Sequence, residues 1–267
     1  MTQPMARPPG RWHYWGLPTA ALAMLATVYL SGGNKALFLD INHLSAYTGD
    51  ALWANLTILG NGVVVLALAL PLAGRRPASV VPVILAAVLT ALAVNGLKDL
   101  FHAARPPAVL ASDAFHVIGP AYGSRSFPSG HTATAFAFAG VVSLIFARPG
   151  VTAVLIIAAA AVGLSRVVVG VHWPIDVLGG AAVGWLCAAA AVALAARWRG
   201  GQRPAIRRIL VIPLYIAAVL LLWPEVTAYH SARVLQYAIA AVTLTAGAAS
   251  LRQWVGRRGP QAGASDQ

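Results

Sequence analysis

Apolar residues along this chain gather into eight runs, most of them near the roughly 20 residues that a helix needs to cross the hydrocarbon of a bilayer. They cover residues 14–31, 52–72, 80–97, 130–147, 151–170, 174–196, 209–223 and 234–251. The seventh is short, and the eighth is diluted by polar residues. The pattern predicts an all-α fold: a polytopic transmembrane helical bundle with a six-helix core over about 14–197 and two added C-terminal spans over about 209–251, all within a single membrane domain, 1–267. No soluble domain, internal repeat or low-complexity linker interrupts it, and the tail 259–267 has the composition of a disordered segment. The first run also fits a cleaved signal peptide, because Arg7 and Arg11 precede it. Its length, and the anchored spans that follow, favour a retained helix.

Composition agrees with a bilayer as solvent. Hydrophobic residues make up 59% of the chain and charged residues 10%, too apolar a balance for the surface of a soluble domain. A formal net charge of +12 would fit a nucleic-acid partner, but the basic residues stand in short clusters between apolar runs, which reads as topology. Arg7 and Arg11, Arg75 and Arg76, Arg148, the set Arg197, Arg199, Arg203, Arg207 and Arg208, and finally Arg252, Arg257 and Arg258 all fall on one side of eight spans. That side is expected to be the cytoplasm, with both termini there, in a bacterial inner membrane. The opposite side receives Lys35, Lys98, Arg105, Arg125, Arg166 and Arg233, together with every acidic residue except Asp266. Something other than topology holds cations there. Cys187 has no partner cysteine, so the chain alone builds neither a disulfide nor a thiolate metal site.

The longest polar connection, 98–128, opens a set of three short segments at the outer ends of spans. The first is Lys98, six residues, then Arg105-Pro106. The second is Pro128-Ser129-Gly130-His131. The third is Ser165-Arg166, five residues, His172, three residues and Asp176. In this order and on one side of the membrane, they match the three signature motifs of the type 2 phosphatidic acid phosphatase superfamily, and the chain resembles its membrane-bound lipid phosphatase branch over roughly 98–176.

The residues support that chemistry directly. A phosphoryl group in transfer spreads negative charge over its oxygens and calls for fixed cations and backbone donors. Lys98, Arg105 and Arg166 can supply the cations; singly, each is as readily a snorkelling interfacial residue. Arg166 follows an unbroken apolar run, and ionisable groups at that depth are functional by default. Ser129 is a natural cap for the helix that begins at Gly130, whose free N–H groups suit a phosphate. Pro174 marks another helix start, and a spacing of four puts Asp176 within reach of His172. A carboxylate on one ring nitrogen leaves the other free to attack phosphorus.

The resemblance implies that His172 takes the phosphoryl group, that His131 protonates the leaving group and then activates water, and that Asp176 orients His172; by their own chemistry Lys98, Arg105, Ser129, Gly130 and Arg166 are expected to bind phosphate. No cofactor and no metal are expected. Asp99, His102, His116 and Arg125 are read as loop surface, and Trp15, Trp53, Trp173 and Trp223 as interfacial anchors. The expected activity is hydrolysis of a phosphomonoester or diphosphate on a lipid at the outer face. Undecaprenyl diphosphate, phosphatidylglycerol phosphate, phosphatidic acid and lipid A all remain open. Transfer of the same phosphoryl group to another acceptor is the alternative. The vanadate-dependent haloperoxidases share these anion-binding residues but are soluble, and a transporter would spread its charges through the membrane depth.

Overall fold

The computed structural model describes residues 10–256; Arg7, Arg257, Arg258 and the tail 259–267 lie outside them. Described residues form helices and no strand: α1 (Arg11–Leu30), α2 (Asn34–Asn42), α3 (Leu44–Thr48), α4 (Asp50–Ile58), α5 (Gly62–Arg75), α6 (Val80–Phe101), α7 (Pro106–Val109), α8 (Gly130–Phe146), α9 (Pro149–Val168), α10 (Pro174–Arg197), α11 (Pro204–Leu210), α12 (Ile212–Leu220) and α13 (Arg233–Gly256). The result is a polytopic helical bundle. Four stretches are long and apolar enough to cross a membrane, at Pro77–Val109, Pro149–Val168, Pro174–Arg197 and His230–Ala249, and two bent helix pairs raise the number to six. Large apolar side chains on the outside, among them Leu92, Val154, Ile157 and Val242, are more than half exposed, as a lipid-facing surface requires.

Three of the expected spans differ from a continuous helix of membrane length. Run 52–72 is broken into α4 and α5, bent by 61°. Gly60, Asn61 and Gly62 make the break, and the Asn61 side chain caps α5 by accepting from the Val63 N–H at 2.9 Å. A Cβ on Gly60 would stand 2.8 Å from the His131 carbonyl oxygen and 2.6 Å from Val162, so only glycine allows this approach. Run 209–223 is divided at Val211 between α11 and α12, because Pro213 has no N–H to continue the ladder. Helix α8 is apolar but has only 17 residues. Its last residue is fixed at the arginine-rich end, where the Arg76 guanidinium lies 4.5 Å from the centre of the Phe146 ring.

Small residues bring α8 and α10 into near contact. A Cβ on Gly180 would fall 2.6 Å from the Ser129 carbonyl oxygen, and one on Gly140 would fall 2.7 Å from the Ala188 Cβ. Without a hydrophobic drive between helices in lipid, such close backbone packing supplies much of the association. Here it also sets two helix starts, Gly130 and Pro174, side by side. Trp15 and Trp223 are exposed, as anchors should be, but Trp53 and Trp173 are not anchors. Trp53 is buried and donates to Thr48 Oγ1 at 2.7 Å, and Trp173 packs on Phe38 and donates to the Ala104 carbonyl at 2.9 Å. Both ring nitrogens find protein acceptors, so neither needs the headgroup region.

Candidate active site

The ends of α6, α8, α9 and α10 opposite the arginine-rich face, with Arg105 at the start of α7, carry all eight residues singled out by the motifs. Bonds and contacts tie the three segments to one another. The Ser129 N–H donates to the Asp176 carbonyl at 2.9 Å, joining the start of α8 to that of α10. Arg105 reaches the third segment through Nη1, which donates to the Val171 carbonyl at 3.1 Å and lies 3.4 Å from His172 Nε2. Lys98 Nζ is 3.9 Å from where a Cβ would stand on Gly130. His131 is within electrostatic reach of Arg166, His172, Lys98 and Arg105.

His172 and Asp176 are almost wholly out of water, at 2% and 1% side-chain exposure, with Nδ1 3.2 Å from Oδ2. The pairing follows from Pro174 at the first position of α10, which places the aspartate one turn in, where Oδ2 also accepts from the Trp173 N–H at 2.8 Å. A third donor, the Ser126 hydroxyl, closes on the same oxygen at 2.5 Å. With the carboxylate on Nδ1, the neutral ring carries its proton there and turns the Nε2 lone pair toward Arg105. Burial, and then the charges of Arg105, Arg166 and Lys98, hold the His172 pKa well below its ordinary 6.5.

Arg105 is anchored by Nε to the Ser124 carbonyl at 2.9 Å and stacks on Tyr122, with 5.1 Å between its guanidinium carbon and the ring centre. Arg166 is 3% exposed, and its Nη1 donates to Thr57 Oγ1 and Tyr229 Oη. Ser129 occupies the N-cap position of α8, as its place in the sequence predicts, yet its side chain makes no cap bond; its Oγ accepts from Thr132 Oγ1 at 3.0 Å. The N–H groups of the first turn are therefore left without a side-chain cap, as an arriving anion would require.

Of the loop residues read as surface, only Arg125 touches this cluster, its carbonyl accepting from Arg105 Nη2 at 3.4 Å. His116 pairs with Asp50 at 2.9 Å, and Arg125 pairs with Asp99 at 2.8 Å, all of them exposed; His102 ends α6 in the left-handed region at φ 46°. Sequence reasoning missed Ser126, Thr57, Tyr229 and Gly60. Only Gly60, beside Asn61 and Gly62, left a readable signal, that of a helix break.

A groove of about 410 Å³ opens from Lys98, Gly130 and His131 and runs between α5, α6 and α8. Its walls are mostly apolar, with Val83, Ala86 and Val94 on α6, Leu66 on α5, and Phe138 and Val141 on α8.

The pattern of the PAP2 superfamily matches residues 79–200, the stretch that holds all three motifs. The crystal structure of Aquifex aeolicus LpxE superposes with a TM-score of 0.55 at 36% identity, over 60% of this chain and 94% of that one. The chain belongs to the PAP2 superfamily. Among other relatives, a lipid A 1-phosphatase of Rhizobium johnstonii is 38% identical over 117 residues, 40% of this chain and 45% of its own length. The chain thus spans less than half the length of that relative. An undecaprenyl-diphosphatase of Sulfolobus acidocaldarius is 29% identical over 190 residues, 66% of this chain and 86% of that protein. As a PAP2 member, the chain carries its helical core between α6 and α10, with α11 to α13 beyond the matched region.

Proposed function

We propose that this protein is a lipid phosphatase that works through a phosphohistidine on His172. The observation that carries the reading is a buried His172–Asp176 pair in the field of Lys98, Arg105 and Arg166, together with an apolar groove that opens at Lys98, Gly130 and His131. Along α6 the groove runs from Val83 to Lys98, about 22 Å at roughly 1.5 Å per residue, enough for a long hydrocarbon chain. The names of relatives that act on lipid A and on undecaprenyl diphosphate support a lipid substrate.

In the proposed reaction the His172 Nε2 lone pair attacks phosphorus and the bond from phosphorus to the lipid oxygen breaks, that oxygen taking a proton from protonated His131. Water then attacks the phosphorus and gives its proton to His131, and the P–N bond breaks to leave inorganic phosphate and neutral His172. Lys98, Arg105, Arg166 and the first-turn N–H groups of α8 neutralise the charge on the oxygens, so no metal is needed. The whole chain forms one membrane domain in a bacterial inner membrane, both termini cytoplasmic and the site facing the periplasm. The basic clusters at one end of the bundle support that orientation.

The test is phosphate release by detergent-purified protein from undecaprenyl diphosphate, phosphatidylglycerol phosphate, phosphatidic acid and lipid A, with and without a chelator. Release from at least one, unchanged by the chelator, is expected. No release from any of them, or activity restored only by a divalent ion, refutes the reading. Counting phosphate transferred to an added lipid acceptor against free phosphate separates a transferase from a hydrolase.

A pH dependence follows. His172 is the nucleophile only when neutral, and its pKa lies well below 6.5, so the acid limb of kcat/KM is expected below pH 6.5. Stability should follow the same group. The unfolded histidine gains a proton near its ordinary pKa before the folded one does, so the contribution is full above 6.5 and is lost as pH falls from there toward the folded value. A limb at or above 6.5 would contradict this placement of His172.

A further inference from the structure

Arg166 is held by groups from outside the motif region. Its Nη1 donates to Thr57 Oγ1 at 2.5 Å and to Tyr229 Oη at 3.0 Å. A guanidinium has five N–H groups, and these two bonds occupy both of those on Nη1. Its Nε is buried without a partner, and the guanidinium's hydrogen bonds to protein groups among the described residues all leave from Nη1. Buried donors are nearly always satisfied, so the Nε and Nη2 edge is where an acceptor that arrives with substrate belongs. That edge is also the fork which binds two oxygens of one phosphate.

Tyr229 lies between α12 and α13, beyond residue 200, where the family match ends. Its delivery to the site is built into the C-terminal helices. Gln236, fully buried, donates from Nε2 to the carbonyls of Leu221 and Trp223, each at 2.8 Å, and accepts from Thr227 Oγ1 at 2.7 Å. This fixes the segment that precedes Tyr229. Ala228 turns the chain with φ 59°. Gly119 makes room for the ring, since a Cβ there would fall 2.7 Å from Tyr229 Cε1. The tyrosine is 6% exposed and packs among Trp53, Ile58, Ile118 and Val169, with its hydroxyl turned inward to an arginine. A tyrosine that merely anchored the chain would sit at the headgroups instead.

We infer that Tyr229 is a positioning residue: by engaging Nη1 together with Thr57, it directs the free edge of Arg166 at the phosphate, so the C-terminal helices complete the anion site. The inference rests on reading Arg166 as phosphate-binding. Wild type, Tyr229→Phe, Arg166→Lys and the double variant, all full-length in detergent, are compared for kcat and KM on a lipid phosphate and for competitive inhibition by inorganic phosphate. Loss of one hydrogen bond to a charged group should raise KM and the phosphate Ki about tenfold, with a smaller change in kcat. In the Arg166→Lys background, where the fork is gone, Tyr229→Phe should add nothing. An equal loss in both backgrounds, or an unchanged Ki, overturns the inference and leaves Tyr229 as packing alone. Should Tyr229→Phe fold poorly, Thr57→Val removes the other Nη1 acceptor and is judged by the same cycle. A wild type that binds phosphate yet releases none from lipids would sink the proposed reaction, while the Ki comparison would still decide for or against Tyr229.

Discussion

Replacing His172 by alanine is expected to lower kcat for phosphate release by at least about 10³-fold while KM moves little. The imidazole presents Nε2 to the space beside Arg105, and alanine deletes the group that the proposed reaction phosphorylates. Substrate binding should survive, because the cations and the groove are untouched by the change. The variant should also fold, since Asp176 Oδ2 keeps two donors, the Ser126 hydroxyl and the Trp173 N–H. Steady-state kinetics with a thermal melt on the same preparation checks both halves. Full activity in this variant would end the phosphohistidine mechanism.

The second large effect is expected at His131. Its removal should slow turnover by about 10²- to 10⁴-fold, the usual contribution of a general acid and base. The two half-reactions should suffer unequally. With an aryl phosphate the leaving oxygen needs no proton donor, so His172 is still phosphorylated, whereas the later attack by water still requires a base. His131→Ala is therefore expected to accumulate labelled phosphoenzyme from a radiolabelled aryl phosphate, as an acid-labile and base-stable adduct on His172. Combining it with His172→Ala should abolish the label. A label that persists in the double variant would place the intermediate elsewhere, and a turnover equal to wild type would leave His131 without a role.

Much of the site was legible because its residues sit at helix boundaries that announce themselves. Pro174 starts α10, and a spacing of four then brings Asp176 under His172; Gly130 starts α8 with Ser129 ahead of it. The apolar runs likewise gave the bundle and the face on which the motifs gather. Averaged hydropathy hid what happens inside a run. Gly60, Asn61 and Gly62 are too few to lower the mean of 52–72, yet they bend the helix and bring its backbone against His131. Pro213 likewise interrupts the run between α11 and α12. Long-range polar partners left no trace at all. Thr57 and Tyr229 are 109 and 63 residues from Arg166, and a lone hydroxyl at such a distance has neither periodicity nor a motif to mark it. Trp53 and Trp173 were misread for a related reason: an indole near a span end looks alike in sequence whether its N–H meets water or a protein acceptor.

The shortness of α8 bears on which lipids the protein leaves alone. Seventeen residues rise only about 25 Å, against roughly 30 Å of hydrocarbon, and Arg76 on Phe146 pins the far end. By that shortfall Ser129, Gly130 and His131 are expected several ångströms beneath the plane where neighbouring headgroups float. A bare terminal phosphate can sink to that level, because lysine and arginine replace the water it gives up. A phosphodiester ending in choline or ethanolamine would drag a second, positive charge down among cations. On the proposed function, bulk phospholipids are then expected to be turned away by electrostatics at depth.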